Sequence, residues 1–535
     1  MSTVLYLNGN IYTMDISLPR AQAMAIDLST GRILAVGSND EVRRVGSKYT
    51  ELVDLRGRTV VPGFIDAHVH LLATAHRSHE VNATGCMSED KVAALVRARA
   101  AQTPPGQWIE GGGWDKNLWP AANFPTKASL DAAAPDHPVA LWSKDGHTLW
   151  CNSLALQRAG ITAQTPEPTT GAILRDGSGE PSGILHEIDA MSLVYTIIEP
   201  PDPATSRLLM ERTLQELQRC GITTIHDIEG EPSLDIFRQL YNEGKLGVRV
   251  QMILPRQMLP LLPSLDMGNA ENDLLRVSGI KIFADGALGS QTAAMLESFE
   301  GNPDNYGILT LPEQEMLDTV KAASEAGLIV AIHAIGDRAA RVALNSIERA
   351  QQQLASVGYT AGAKQRYRLE HVQLIAPDDL ERMCRLKVIA SIQPFHAVAD
   401  RDIAERYWGK RHLHAYAYST MHDMGIPLAM GSDTPVETFD PLHILYAATM
   451  RRDPATPRPP WLPDQALSVA DALWGYTLGA AYAGAEETSR GSLTVGKLGD
   501  AVVLREDILS IPQEKIAENG VQATILGGNV VYGNV

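Results

Sequence analysis

The sequence predicts an α/β fold: a (β/α)8 TIM barrel, with a small β-sandwich built from both termini and an inserted subdomain after the first barrel strand. Three observations carry this. Eight short apolar, β-branched runs alternate with longer amphipathic stretches. The two ends of the chain share a texture of short strands and turns. The span from about 75 to 200 is too long for a simple loop. The expected division is 1–60 with 485–535 as the composite sandwich and 61–484 as the barrel, with the insertion at about 75–200.

The N-terminal strands are read at Val4–Leu7, Ala23–Ile26 and Ile33–Gly37, with a turn at Asp54–Gly57. The barrel runs follow at Val61–His70, Gly221–Ile228, Gly247–Leu254, Val277–Gly286, Leu328–Asp337, Tyr367–Ile375, Lys387–His396 and Pro427–Val436. Stretches such as Ser206–Arg219 and Glu313–Ala326 place apolar residues three and four apart, the helical spacing. Nearly continuous apolar strands separated by helices imply a parallel sheet covered on both faces. Eight such units close naturally into a barrel. A doubly wound open sheet is the alternative, but no GxGxxG or Walker-type loop follows a strand. Gly491–Lys497, Ala501–Leu504 and Ala523–Tyr532 are expected to complete the sandwich.

Composition narrows the function. The chain has 535 residues, 44% hydrophobic and 20% charged, with a formal net charge of −17, which argues against a binder of nucleic-acid backbones. Met1–Asp15 lacks the basic flank and apolar run of a signal peptide, and no stretch approaches the roughly 18 apolar residues of a membrane span. The four cysteines (Cys86, Cys151, Cys220, Cys384) never form CxxC, which excludes a disulfide scaffold or a zinc finger. The expectation is a cytoplasmic protein acting on a small molecule, with neither nucleic acid nor membrane as partner.

The chemistry-bearing residues sit at the C-terminal ends of the predicted strands, where barrel active sites are built. In His68-Val69-His70, the strand period of two puts both imidazoles on one face, where two neutral rings can chelate one Zn2+. A solvated pair is the bland alternative, weakened because the motif ends an apolar run. His333 and His371 end the fifth and sixth runs; singly, each suits a satisfied core histidine. Asp433 ends the eighth, where a carboxylate is costly without a partner, or it forms an Asx-turn or helix cap ahead of Pro435. Lys281, inside the fourth run, must be paired, neutralised or modified; an ion pair with a nearby carboxylate such as Asp285 is its ordinary explanation. The set is more telling than any member. Asp66, one step deeper on the face of His68 and His70, is expected to orient them, whereas strand alternation turns Glu370 away from His371. Candidate substrate contacts are Trp114, Asp115 and His147 in the insertion, expected over the barrel mouth, and Asp285, Gln291 and His396 after strand ends. Ordinary packing is the alternative for the first three, and a capped surface position for His396.

From PGFIDAHVH through KIFADG, HAIGD, LEHVQ and GSDTPV to GSLTVGKLGDAVVL, the chain resembles the amidohydrolase superfamily. Gly113-Trp114-Asp115, DGHTLWCNS (145–153), GEPSGIL (179–185) and FADGALGSQTAAM (283–295) resemble the branch containing N-substituted formamide deformylases. The resemblance implies that His68 and His70 hold one metal and that His333 and His371 hold another or share it. Asp433 would bind metal and shuttle a proton, and Lys281 would be a carboxylated bridge between two zinc ions. The cofactor implied is Zn2+, one or two per chain, with two preferred. The implied activity is hydrolysis of a non-peptide C–N bond, in an N-substituted amide or formamide, by metal-activated water. A deaminase or cyclic-amide hydrolase is the alternative. A non-catalytic scaffold stands behind both, since all six ligand positions are filled. The tryptophans of the insertion suggest an apolar or aromatic substrate, and a homodimer is compatible with the resemblance.

Overall fold

The computed structural model describes residues 3–46, 50–121, 123–143, 148–168, 172–199, 201–264, 273–289, 291–359, 362 and 365–535. Contacts divide the chain into two units, one of Met1–Thr74 with Met210–Val535 and one of Ala75–Leu209.

The first unit contains an eight-stranded parallel sheet of Phe64–Val69, Ile222–Asp227, Arg249–Pro255, Leu275–Phe283, Ile329–Ala334, Tyr367–His371, Ile389–Ile392 and Leu428–Met430, each hydrogen-bonded to the next in chain order. One expected run underlies each strand. Past Met430 the chain continues along the first strand: Val69 bridges Thr434 in parallel, the Asp433 N–H donates to the His68 carbonyl at 2.8 Å, and the His70 N–H donates to Thr434 at 2.9 Å. These bonds close the sheet into a (β/α)8 barrel. Helices cover its outside. Asp337–Ser356, for example, buries Ala340, Ala343, Leu344, Ile347, Ala350 and Leu354, one apolar stripe at helical spacing.

The same unit carries the sandwich. One sheet, in the order Arg32–Gly37, Ala23–Asp27, Thr3–Leu7, Thr50–Asp54, faces another in which Thr59–Pro62 pairs antiparallel with Ala501–Leu504. Their shared core joins Val4, Tyr6, Met24 and Ile26 to Val503, Ala523 and Ile525, so the two termini build one domain. Two expectations need correction. Gly491–Lys497 is an irregular turn rather than a strand, with Gly491 at φ 84° and Gly496 at φ 89°. Ala523–Tyr532 is split into Val521–Leu526 and Asn529–Gly533 by Gly527 (φ 56°) and Gly528 (φ 86°). Two successive positive-φ residues match the tight hairpin that suits strand twist. A cavity of about 900 Å³ opens beside the start of the eighth barrel strand, lined by Tyr12, Ile426, Pro427, Trp474, Leu478 and Lys497 and by none of the candidate site residues.

The second unit is built on a six-stranded sheet, in the order Ala172–Arg175, Pro181–His186, Thr148–Cys151, Val139–Ser143, Ile109–Trp114, Val81–Asn82. Trp114, Trp119 and Trp150 form its aromatic core, with ring centroids 6.0–6.3 Å apart. Among the described residues no helix is long and apolar enough to cross a membrane.

Candidate metal centre

The site is assembled at the C-terminal ends of the barrel strands. His68 lies in the first strand, fully buried, and His70 follows it. Each ring has its Nδ1 committed. His68 Nδ1 faces Glu370 Oε2 at 2.7 Å, and His70 Nδ1 faces the Ile228 carbonyl at 2.8 Å. A carbonyl can only accept, so His70 Nδ1 carries the proton. Burial would raise the Glu370 carboxyl, but the Arg368 guanidinium and His68 hold it well below the usual carboxylate range, so it too accepts. Both rings therefore present the Nε2 lone pair inward. Such outer-shell acceptors fix the tautomer of metal-binding histidines.

The end of the second strand holds this geometry in place. Asp227 accepts from the Leu71 N–H at 2.9 Å, and Glu229 accepts from those of Leu72 and Ala73 at 2.7 and 2.9 Å. The opening N–H groups of the helix Leu71–Ser78 are thereby capped by carboxylates. Asp66 acts on the backbone rather than on the rings, contrary to the expectation that it orients the imidazoles. It accepts from the N–H groups of His68 and Ser432 and from the Tyr476 hydroxyl at 3.1 Å.

Asp433 stands at the centre. Its Oδ1 is 3.2 Å from His70 Nε2 and 3.4 Å from His68 Nε2; its Oδ2 is 3.5 Å from His396 Nε2 and 4.0 Å from His371 Nδ1. Burial opposes its charge, and a proton or cation shared with the surrounding imidazoles would hold its carboxyl well below the usual carboxylate range. It adopts φ 59°, and the turn after the sixth strand runs through His371 (φ 76°) and Val372 (φ 45°). Left-handed backbone at such residues is uncommon and clusters where structure is held for function.

His371 Nδ1 donates to Gln393 Oε1 at 2.9 Å, and its ring lies 5.0 Å from His68 and 4.5 Å from His333. His333 Nε2 donates to the Gly286 carbonyl at 2.9 Å. Burial, with Lys281 nearby, pushes His68 down to about 4 and His333 to about 3, so both are neutral, the form that binds metals. Lys281 is buried with Nζ 3.5 Å from His68 Nε2 and 5.0 Å from the Phe283 ring centre. It thus faces His68 rather than Asp285, and the carboxylates that favour its charge are Glu370 and Asp433. Burial pushes Lys281 down to about 8.

Two trios have donor atoms within 4.8 Å of one another: His68, His70 and Asp433, and His371, His396 and Asp433. The first fits a divalent cation, because two lone pairs and a carboxylate oxygen converge with no proton between them. The second differs in chemistry. Gln373 Nε2 lies 3.3 Å from His396 Nδ1, which puts the ring proton on Nε2, a buried atom with no hydrogen-bond partner among the described residues. His396 therefore presents a donor toward Asp433. It is a buried member of the centre, not the capped surface residue that was the alternative.

The other expected substrate contacts fare differently. Asp285 spends its carboxylate on the N–H groups of Ile335, Gly336 and Ala294, at 3.1, 2.8 and 2.9 Å, and so builds the loops around His333. Gln291 turns the same region at φ 53°, its carbonyl accepting from Asn305. Asp115 is half-buried in the inserted unit, and His147 lies outside the described residues. Trp114 is 1% exposed and donates to the Leu141 carbonyl at 2.8 Å, so it is core of that unit rather than a substrate wall. Trp114→Phe removes that hydrogen bond and part of a buried ring and is expected to cost about 1–3 kcal/mol of stability, read from a denaturation midpoint, with KM unchanged. A raised KM would return Trp114 to the substrate site.

Sequence reasoning missed Glu370, Gln393 and Arg368. Arg368 and Glu370 share a face in Tyr367–His371, and a charged i, i+2 pair in a buried strand was the available signal. The alternation argument failed because His371 leaves the strand at positive φ, so both Glu370 and His371 turn inward.

A family model described as Amidohydrolase family matches residues 51–532. Protein LONG AFTER FAR-RED 3 of Arabidopsis thaliana is 34% identical over 99% of this chain and 92% of its own length. The N-substituted formamide deformylase of Arthrobacter pascens is 29% identical over 99% of this chain and 98% of its own. Among solved structures, an uncharacterized metal-dependent hydrolase from Pyrococcus furiosus superposes with a TM-score of 0.78 at 28% identity, covering 95% of this chain and all of that one. With the family model spanning the whole barrel and the later strands of the sandwich, the chain belongs to the amidohydrolase family.

Proposed function

We propose that this hydrolase is zinc-dependent and cleaves the C–N bond of N-substituted amides or formamides. The observation that carries the reading is the convergence of two proton-free Nε2 atoms and one carboxylate oxygen, Asp433 Oδ1, at the barrel mouth. Its likeness to the Arthrobacter deformylase along nearly the whole of both chains supports the bond type. His68, His70 and Asp433 would hold the ion, with His371, His333 and Lys281 beside them. A bound Zn2+ would supply a Lewis acid for the amide carbonyl and acidify water at neutral pH.

The chain's own groups supply the rest. Asp433 takes a proton from the attacking water and delivers it to the departing nitrogen, so that the amine leaves neutral. His396 Nε2–H donates to the substrate oxygen as negative charge grows there. Lys281, as a neutral amine, would take up CO2 to give a carbamate and a proton; the resulting anion would offer oxygens to metal where the ammonium offers none, which would favour two ions per chain.

The test is zinc content per chain, measured on protein purified without added metal or chelator, followed by amine release from a panel of N-substituted formamides and short-chain N-acyl amines. Zinc together with amine release supports the reading. Release from cyclic amides or amino-heterocycles alone moves the substrate to the other bond class, and a zinc-free protein inert on every panel member removes the reading. For Lys281, growth with 13C-labelled bicarbonate is expected to give a carbamate carbon resonance that Lys281→Arg lacks. Two zinc ions per chain without that resonance would exclude the bridge.

A further inference from the structure

Beneath the centre the barrel interior holds a column of buried polar and charged side chains, among them Arg368, Glu370, His226 and Gln251. Arg368, in the sixth strand, is fully buried. Its Nε donates to Glu370 Oε1 at 2.6 Å, and its Nη2 reaches Glu370 Oε2 at 3.1 Å, the Ala67 carbonyl at 2.6 Å and Ser391 Oγ at 2.9 Å. Nη1 donates to His226 Nδ1 at 3.0 Å. One guanidinium thus ties the first, second, sixth and seventh strands together. The column ends at Gly484, where a Cβ would lie 2.3 Å from Gln251 Oε1 and 2.8 Å from His226 Nε2. An isolated buried arginine and glutamate are costly, and their fork-to-fork pairing offsets that cost. The pairing does more than neutralise. Oε2, which the guanidinium fixes, is the same atom that stands 2.7 Å from His68 Nδ1.

We propose that Arg368 is a positioning residue for the metal centre: by fixing the carboxylate plane of Glu370, it keeps the His68 proton on Nδ1 and the Nε2 lone pair aimed at the ion. The inference rests on the metal-dependent reading above. Without the guanidinium the carboxylate loses the fork that holds its plane, and the Nδ1 acceptor loses its fixed place; other neighbours of the ring among the described residues stand farther off, Lys281 Nζ at 3.5 Å from Nε2 and Gln393 Nε2 at 3.4 Å from Nδ1. Arg368 would then set metal affinity without touching the metal or any ligand to it.

The test is zinc affinity of the full-length chain, by competition with a chromogenic chelator. The variants are Arg368→Gln, Arg368→Lys, Glu370→Gln and the double Arg368→Gln/Glu370→Gln. Removal of an outer-shell partner typically weakens binding about 10–100-fold, and both glutamine single variants are expected in that range. The double variant is expected to bind no more weakly than Glu370→Gln alone, because both losses act through one hydrogen bond. In the cobalt-substituted protein, the visible absorption bands of Arg368→Gln are expected to shift as those of Glu370→Gln do, a signature that mere loss of stability does not produce. Should Arg368→Gln fail to fold, Arg368→Lys decides. It keeps the charge, but one ammonium cannot span both carboxylate oxygens, so weakened zinc binding in the folded variant supports the proposal. Affinity within about threefold of wild type in a folded Arg368 variant overturns it, as do losses that multiply in the double variant. A wild-type chain that takes up no zinc refutes the metal-dependent reading instead, and the two failures are thereby told apart.

Discussion

Asp433→Asn is expected to lower turnover by about 10²–10⁴-fold, the range lost when a positioned proton carrier is removed, while circular dichroism stays that of the wild type. The fold should tolerate the change. Asparagine has nearly the same volume and accepts the left-handed φ 59° about as readily as aspartate. The bond from the residue 433 N–H to the His68 carbonyl is a backbone bond and survives. What does not survive is the chemistry. Oδ1 and Oδ2 each face a different pair of imidazoles, His68 with His70 and His371 with His396, so an amide must turn its NH2 toward one pair. Toward His68 and His70 it would meet two lone pairs; toward His396 it would meet an N–H donor. In either orientation the group can no longer take a proton from water and return it to nitrogen. The measurement is kcat on whichever N-substituted formamide the wild type cleaves fastest, beside the zinc content of the variant. Retained zinc with lost kcat isolates the proton-transfer role, and wild-type turnover would sink the assignment.

Much of this architecture is legible in the sequence because parallel strands covered on both faces must be apolar nearly throughout. Each of the eight runs therefore stands out, and a histidine, lysine or aspartate at its end is conspicuous. His68, His70, Lys281, His333, His371 and Asp433 were visible for that reason. The parts that stayed hidden depend on backbone departures or on partners far apart in the chain. Glu370 was turned away by strict alternation, which the positive φ of His371 breaks. The acceptor for His70 is a main-chain carbonyl, that of Ile228, and leaves no trace in residue type. Asp285 follows a strand end as a ligand would, yet its oxygens go to loop N–H groups. Trp114 ends a strand of a different sheet, and the ring of an aromatic residue reads the same in a core as in a pocket.

Stripping the metal is expected to abolish turnover and lower the thermal midpoint together, and adding zinc back should restore both. The reason lies in what the donors do without a cation. His68 Nε2 and His70 Nε2 lie 3.4 and 3.2 Å from the same carboxylate oxygen with their protons committed elsewhere, so lone pairs face a negative charge at hydrogen-bond distance. That arrangement is unfavourable unless a proton or a metal ion is shared among them. A ligand that binds only the folded chain stabilises it by RT ln(1 + [L]/Kd), about 2.7 kcal/mol at a hundredfold excess over Kd. The thermal midpoint should therefore rise with free zinc and level off only logarithmically, and the rise should be lost in His70→Ala. That variant removes a donor at the edge of the cluster, where the ring is one-quarter exposed, and leaves the buried His68–Glu370–Arg368 column intact. If zinc leaves the wild-type midpoint unmoved, the three donors share a proton instead, and the hydrolytic role of the cluster must be reassigned.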